Sequence, residues 1–193
     1  MQQVHGSVFR APGVQVYGAV ELRERVSLWP HAVIRAEAQS VRVGPVSNLQ
    51  DFVMVHVGYD DATQIGAFCS ITHHATVHGA RVEDACLIGI QAVVMDGAVI
   101  GTGSIVAPGA VVTERSVVPP HSIVAGVPAR VIKQRDSTRE NRLNAWQYYR
   151  NACAYRRGDH RVWHGEAQRE WLAWVGDEIA ADRDLAPDFD PRV

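Results

Sequence analysis

From Val82 onward an aliphatic residue returns at every sixth position: Val82, Ile88, Val94, Ile100, Val106, Val112, Val118 and Val124. A glycine often follows at once, as in Ile88-Gly89 and Ile100-Gly101. A fixed hexapeptide period predicts a parallel β-helix in which each unit is a short strand plus a turn. Three units close one triangular coil, so positions three units apart stack. Each aliphatic side chain points inward and packs on its equivalents above and below. Stability then comes from nearest-neighbour stacking of coils. The fifth place of the unit is small (Cys69, Cys86, Ala92, Ala98, Ser104, Ala110, Ser116, Ser122), which suits a crowded inner corner. Cys69 and Cys86 are therefore packing residues, because a free cysteine behaves as a small hydrophobe.

The frame runs backward with interruptions. Ile65, Ile71 and Val77 are in phase, as are Val43, Leu49 and Val55, and before them Val16, Leu22, Leu28 and Ile34. The step from Ile34 to Val43 is three residues too long and the step from Val55 to Ile65 four too long, so two insertions are expected. The second, around Gly58-Tyr59-Asp60-Asp61, reads as a surface loop, where functional residues concentrate. After Pro128 the pattern stops. Asn141 to Tyr155 and Gly165 to Ile179 read as helices, the second with Trp171, Leu172, Val175 and Ile179 on one apolar face. Trp146, Tyr148, Tyr149, Tyr155, Trp163, Trp171 and Trp174 are expected to dock this tail on the coil, and Pro187 to Val193 to be loose. The division expected is a parallel β-helix over 1–133 and a helical segment over 134–193 that packs on it.

Composition narrows the function classes. The 193 residues carry a net charge of −2, too near neutral for nucleic-acid binding by electrostatics alone. No apolar run reaches the length of a membrane span, and Met1-Gln2-Gln3-Val4-His5 does not read as a signal peptide. Three cysteines without metal-knuckle spacing fit a reduced, cytoplasmic setting.

The repeat also fixes where histidines point. Let faces A, B and C carry Val94, Val82 and Ile88. His56 follows Val55 and His78 follows Val77, so both occupy the second place of face A in successive coils and point outward. Their expected separation is the ~4.8 Å between neighbouring strands. Arg35 takes the same place one coil earlier. His73 sits at the third place of a face C unit, with Asp51 its equivalent in the previous coil and Gln50 beside it. Ile90 and Met95 end the two polar columns in the next coil. Two imidazoles on stacked rungs and a third across an edge suit tetrahedral zinc with an open position, and imidazole also suits other transition metals. Outward columns on two faces diverge within one chain. A symmetric trimer would bring His73 of one subunit to His56 and His78 of the next, giving three shared sites. His74 reads as a bystander or pocket lining. His5, His31, His121, His160 and His164 lie off the columns and read as ordinary surface histidines.

Leu28-Trp29-Pro30-His31-Ala32-Val33-Ile34-Arg35, Asn48-Leu49-Gln50-Asp51 with Val55-His56, and Ile71-Thr72-His73-His74-Ala75-Thr76-Val77-His78-Gly79 resemble the γ-class carbonic anhydrase core. Val118-Pro119-Pro120-His121-Ser122 and Gly126-Val127-Pro128-Ala129 resemble that family's last coil. The likeness covers residues 10–133. It implies a left-handed β-helix, a homotrimer, and Zn2+ (or Fe2+/Co2+) held at subunit interfaces by His56, His73 and His78. It further implies that Arg35 and Asp51 form a salt bridge between subunits, that Gln50 orients the attacking water, and that Tyr155 stands near the site. The chain departs from the family at Arg35-Ala36-Glu37, where Arg-Gly-Asp is usual, and at His74, where glycine is common. Glu37 is then a local acid/base or acceptor, and His74, Asp60 or Asp61 a proton path.

The activity implied is reversible hydration of CO2 to bicarbonate by a metal-bound hydroxide. Three rivals stand beside it. One is a metal-dependent hydrolase, hydratase or lyase acting on a larger acyl compound. Another is a hexapeptide-repeat acyltransferase using a histidine base on an acyl-CoA. The last is a structural trimer module with a vestigial site.

Overall fold

The computed structural model describes residues 1–180, with side chains as far as Val175. Ile179 as a side chain, and the Pro187 to Val193 end, lie outside the described residues. The chain is mainly β, a parallel solenoid of about seven turns followed by two helices. Most strands are two or three residues long and each pairs in parallel with its equivalents one coil away. On face A, Val55 pairs with both Ile34 and Val77, and Val77 with Val94. On face B, Val43, Ile65, Val82 and Ile100 pair in succession. On face C, Leu28, Leu49, Ile71, Ile88, Val106 and Val124 do the same through their ladders. These inward residues are fully or almost fully buried, as are Cys69, Cys86, Ala92 and Ala98 in the corners.

Most units turn through one left-handed residue, three places after the aliphatic. Arg25, His31, Val46, Phe52, Phe68, His74, Ala85, Gln91, Arg115 and His121 all take φ between 53 and 61 degrees there. Gly97, Gly103 and Gly109 take φ of 66 to 68 degrees at the same place of their units.

The two insertions leave the stacking count intact. The shorter one is not a loop. It is absorbed within the strand Val33–Val43, whose register against the strand Gln15–Leu22 shifts between Gly18 and Val20. This bulge carries Glu37. The longer one forms the loop after His56, closed by Gly58 N–H donating to Asp61 O at 2.8 Å, with Tyr59 at its exposed tip.

Where the hexapeptide pattern stops, the chain adds a strand the aliphatic period does not show. Arg130–Gln134 pairs antiparallel with Ser122–Ala125 and ends the solenoid with exposed residues. Helix α1 (Thr138–Arg156) then runs back along face C, and α2 (Glu166–Ala180) packs on α1. α1 begins three residues before the expected start, because Asp136 Oδ1 accepts the Thr138 N–H at 2.9 Å and starts the first turn. Trp146 is wholly buried against Val46, Phe68, Ala85 and Trp171. Tyr148 and Ala152 pack on Phe9, Ala11 and Trp29. Asn141 and Asn144 anchor the helix through Ala85 O and Ser70 Oγ, both at 2.7 Å. Two aromatic clusters thus bind α1 to the coil, at the B–C corner and on face C.

Candidate metal centre

His56 and His78 are register partners on face A. Their side chains leave the coil because Val55 and Val77 before them point in. The two rings lie 4.9 Å apart at their centroids, and His56 Nδ1 is 3.0 Å from His78 Nε2. Each ring has a carboxylate on its other nitrogen. Glu37 Oε2 is 3.0 Å from His56 Nε2, and Asp96 Oδ1 is 2.8 Å from His78 Nδ1. His73 shows the same arrangement on face C, with Asp51 Oδ2 3.0 Å from its Nδ1.

An ionised carboxylate only accepts hydrogen bonds. The nitrogens that face Glu37, Asp96 and Asp51 are therefore the protonated ones. In neutral rings this leaves His56 Nδ1, His78 Nε2 and His73 Nε2 as lone-pair nitrogens. Two of these face each other at 3.0 Å. Two lone pairs so close call for a cation between them, a proton or a metal ion. Zinc–nitrogen bonds at tetrahedral angles set ligand nitrogens about 3.3 Å apart, near the spacing seen. A carboxylate on the far nitrogen is the usual support of a metal-bound imidazole.

The third imidazole is elsewhere. His56 and His78 line an open cleft with Arg35, Glu37, Val57 and Tyr59. His73 lines a separate cavity of about 280 Å³ with Asp51, Trp29, Tyr148, Tyr155 and His160. Within one chain, among the described residues, no three ligand side chains converge.

The other residues singled out in the sequence divide as follows. Glu37 joins Arg35 to His56, with its Oε1 2.6 Å from Arg35 Nη1. Desolvation pushes the Glu37 carboxyl up, but His56, its own backbone N–H and Arg35 pull it down further, and it ends below the usual glutamate range. Arg35 thus pairs with Glu37, and Asp51 with His73, inside one protomer. Gln50 is 2% exposed and donates to Asn48 Oδ1 at 3.0 Å, in a buried ladder that continues to Ser70 and Asn144 of α1. Tyr155 reaches the His73 cavity. His74 lines neither cleft; its ring stacks on Phe52 at 4.9 Å, and Phe52 on His31 at 5.0 Å. Tyr148, beside His73, is pushed up to about 12 by burial and by the nearby Asp51 charge.

Asp96, which braces His78, and His160 of the His73 cavity carry no signal in the hexapeptide columns. Asp96 is third in its hexad, one coil past His78, and reaches back over Gly79, where a Cβ would meet its Oδ1 at 2.1 Å. The sequence signal is that glycine beside the histidine. His160 comes from the segment after α1, outside the repeat that gives other residues a phase.

A model of six hexapeptide repeats, described as bacterial transferase hexapeptide, matches residues 79–114. Over 140 residues the chain is 44% identical to "Probable carbonic anhydrase" of Methanocaldococcus jannaschii, covering 72% of this chain and 88% of that one. This chain belongs to the γ-class carbonic anhydrase-like hexapeptide family. Another relative, "Carbonic anhydrase" of Geobacillus kaustophilus, is 33% identical over 79% of this chain and 91% of its own length. The γ-class-like solenoid also superposes on the crystal structure of a hexapeptide transferase family protein from Anaplasma phagocytophilum. The TM-score is 0.71 at 30% identity, over 81% of this chain and 92% of that one.

Proposed function

We propose that the chain hydrates CO2 reversibly to bicarbonate as a homotrimer. A zinc ion, or Fe2+ or Co2+ in its place, is held by His56 and His78 of one protomer and His73 of the next. The observation that carries this reading is the pair of imidazole nitrogens 3.0 Å apart on His56 and His78, each ring braced by a carboxylate on its other nitrogen. His73, braced in the same way on another face, supports a third ligand supplied across a subunit edge. A metal held there supplies Lewis acidity and makes a water-derived nucleophile available at neutral pH.

The chain's own residues do the rest. Glu37, Asp96 and Asp51 orient the three imidazoles and fix their tautomers. Glu37, held ionised between Arg35 and His56, accepts a hydrogen bond from the attacking water or a proton from it. Gln50, buried beside Asp51, orients that water by turning its amide out of the ladder with Asn48. Arg35 and Asp51 also pair across the subunit edge, while Arg35 keeps Glu37 and Asp51 keeps His73 within the protomer. Tyr155 walls the His73 side. His74, stacked on Phe52, is a neighbour of the site and takes no step. Cys69, Cys86 and Cys153 are free thiols, which suits a cytoplasmic setting.

The test is metal content and CO2 hydration in the wild type and in His78→Ala, with loading under anaerobic and aerobic conditions. The wild type is expected to hold about one ion per protomer and to hydrate CO2, and His78→Ala to lose both. A variant that kept metal and activity would overturn the ligand assignment. The likeness to a hexapeptide transferase supports a second reading, acyl transfer from an acyl-CoA. Purified wild type with almost no metal and measurable binding of CoA would favour it.

A further inference from the structure

Hydration of CO2 turns one water and one CO2 into bicarbonate and one proton, and each turnover must deliver that proton to bulk water. We propose that His160 is the group that carries it, taking the proton at a ring nitrogen from the His73 side and releasing it to buffer. This rests on the function proposed above.

Three observations point to His160. It lines the same cavity as His73, Asp51 and Tyr155, so an aromatic-walled space joins the candidate ligand to this ring. Its ring is held 4.6 Å from that of Tyr155, which in turn packs 5.0 Å from buried Trp29. Its own side chain is exposed, at the cavity mouth, where it meets buffer. One ring therefore has contact with the inside of the cavity and with solvent, the arrangement a relay needs. Imidazole is the side chain that gains and loses a proton most readily near neutral pH.

The charged and titratable groups around it are few. Its own segment supplies Asp159 and Arg161, joined by Asp159 Oδ1 accepting the Arg161 N–H at 2.9 Å. Helix α1 supplies Tyr148 and Tyr155, and the coil supplies His73 and Asp51. Asp51 is engaged by His73, and Tyr148 stays protonated until about pH 12. His160 is the more exposed of the two imidazoles of the cavity, His73 being partly covered.

The test separates proton export from the chemical step. In wild type, His160→Ala, His160→Gln and the control His164→Ala, CO2 hydration is followed at low and at high buffer. Both His160 variants are expected to lose ~10-fold or more in kcat at low buffer, with kcat/KM unchanged, and added imidazole to restore the rate. His164→Ala is expected to match the wild type. An unchanged kcat, an equal fall in kcat/KM, or no rescue by imidazole overturns the proposal. A second readout needs no turnover. Histidine-selective NMR of the purified protein should show the His160 ring signals changing across the neutral pH range, with the Tyr155 ring signals moving alongside. A His160 that keeps one protonation state across that range also overturns it. A wild type that does not hydrate CO2 at all overturns the function and the relay together, whereas failure of the His160 arms alone leaves the function standing.

Discussion

At Gly79 the backbone takes φ +54, and a methyl group added there would meet Asp96 Oδ1 at 2.1 Å. The nearest atom is the end of a side chain, so the carboxylate can swing off His78, but Gly58 N at 3.0 Å and Asp61 Cβ at 3.1 Å must also give. Gly79→Ala is therefore expected to cost at least the ~1–2 kcal/mol of a left-handed alanine. Metal affinity should fall 10–100-fold, as it does when a ligand's supporting carboxylate is lost. Asp96→Asn should weaken metal binding by a similar factor while leaving the melting temperature nearly unchanged. Competitive chelator titration and thermal melts on both variants check this; equal affinities in wild type and Asp96→Asn would remove Asp96 from the site. The contrast between Asp96 and His78 shows how residues become legible. His56, His73 and His78 follow an inward aliphatic at a fixed step, so their directions could be read before any coordinates. Asp96 has the same phase information, but its partner depends on a side chain reaching down one rung over a missing Cβ. His160 has no phase at all.

Helix α1 depends on its first turn. Asp136 Oδ1 accepts the Thr138 N–H at 2.9 Å and stands 3.0 Å from His121 Nδ1, a charge contact, not an aligned hydrogen bond. Thr138 pulls the Asp136 carboxyl below its ordinary 3.8, with burial opposing and His121 adding to the pull. Glu140 lies below its ordinary 4.5, chiefly through its own backbone N–H and, against burial, through Arg135. Carboxyls lowered in the folded state stabilise it fully above their unfolded values and lose that contribution as pH falls through the folded ones. Below about pH 4, α1 should loosen from face C while the coil beneath persists. Emission of Trp146, wholly buried against the B–C corner, reports this as a red shift that precedes loss of the β signal in circular dichroism. Asp136→Ala should cost ~1 kcal/mol in denaturant titration and remove part of the acid sensitivity. An unchanged acid midpoint would assign the loosening to other groups. The coil was legible in the chain to the level of register, because one inward residue per strand leaves no other phase that buries it. The antiparallel strand Arg130–Gln134 was not, because all its residues are exposed and it carries no buried period. The bulge at Glu37 showed as a step three residues too long, but not as a strand running through it.

For the whole molecule, the decisive feature is that the three imidazoles occupy two clefts of one protomer. A closed ring of identical subunits has one interface per protomer, each joining the same two different surfaces. If His56 and His78 belong to one surface and His73 to the other, a site is complete only where one intact surface meets the other. That makes the sharing testable without a complex in hand. His73→Ala keeps the His56–His78 surface, and His78→Ala keeps the His73 surface. Homotrimers of either variant have no complete site. A mixed trimer, whichever variant is in excess, contains one interface at which both intact surfaces meet, so about one site in three should recover. Co-expression with two affinity tags, followed by metal analysis and CO2 hydration of the doubly tagged fraction, measures this. If all three ligands came from one chain, every protomer in the mixture would still lack one. Recovery would then be nil, and the trimer-edge assignment would fall while the His56–His78 pair on face A stood. The solenoid makes the outcome easy to interpret, since coils stabilised by their neighbours tolerate alanine at an outward position with little change elsewhere. Thermal melts of the two variants within a few degrees of wild type would show that the lost sites reflect missing ligands and not a disturbed coil.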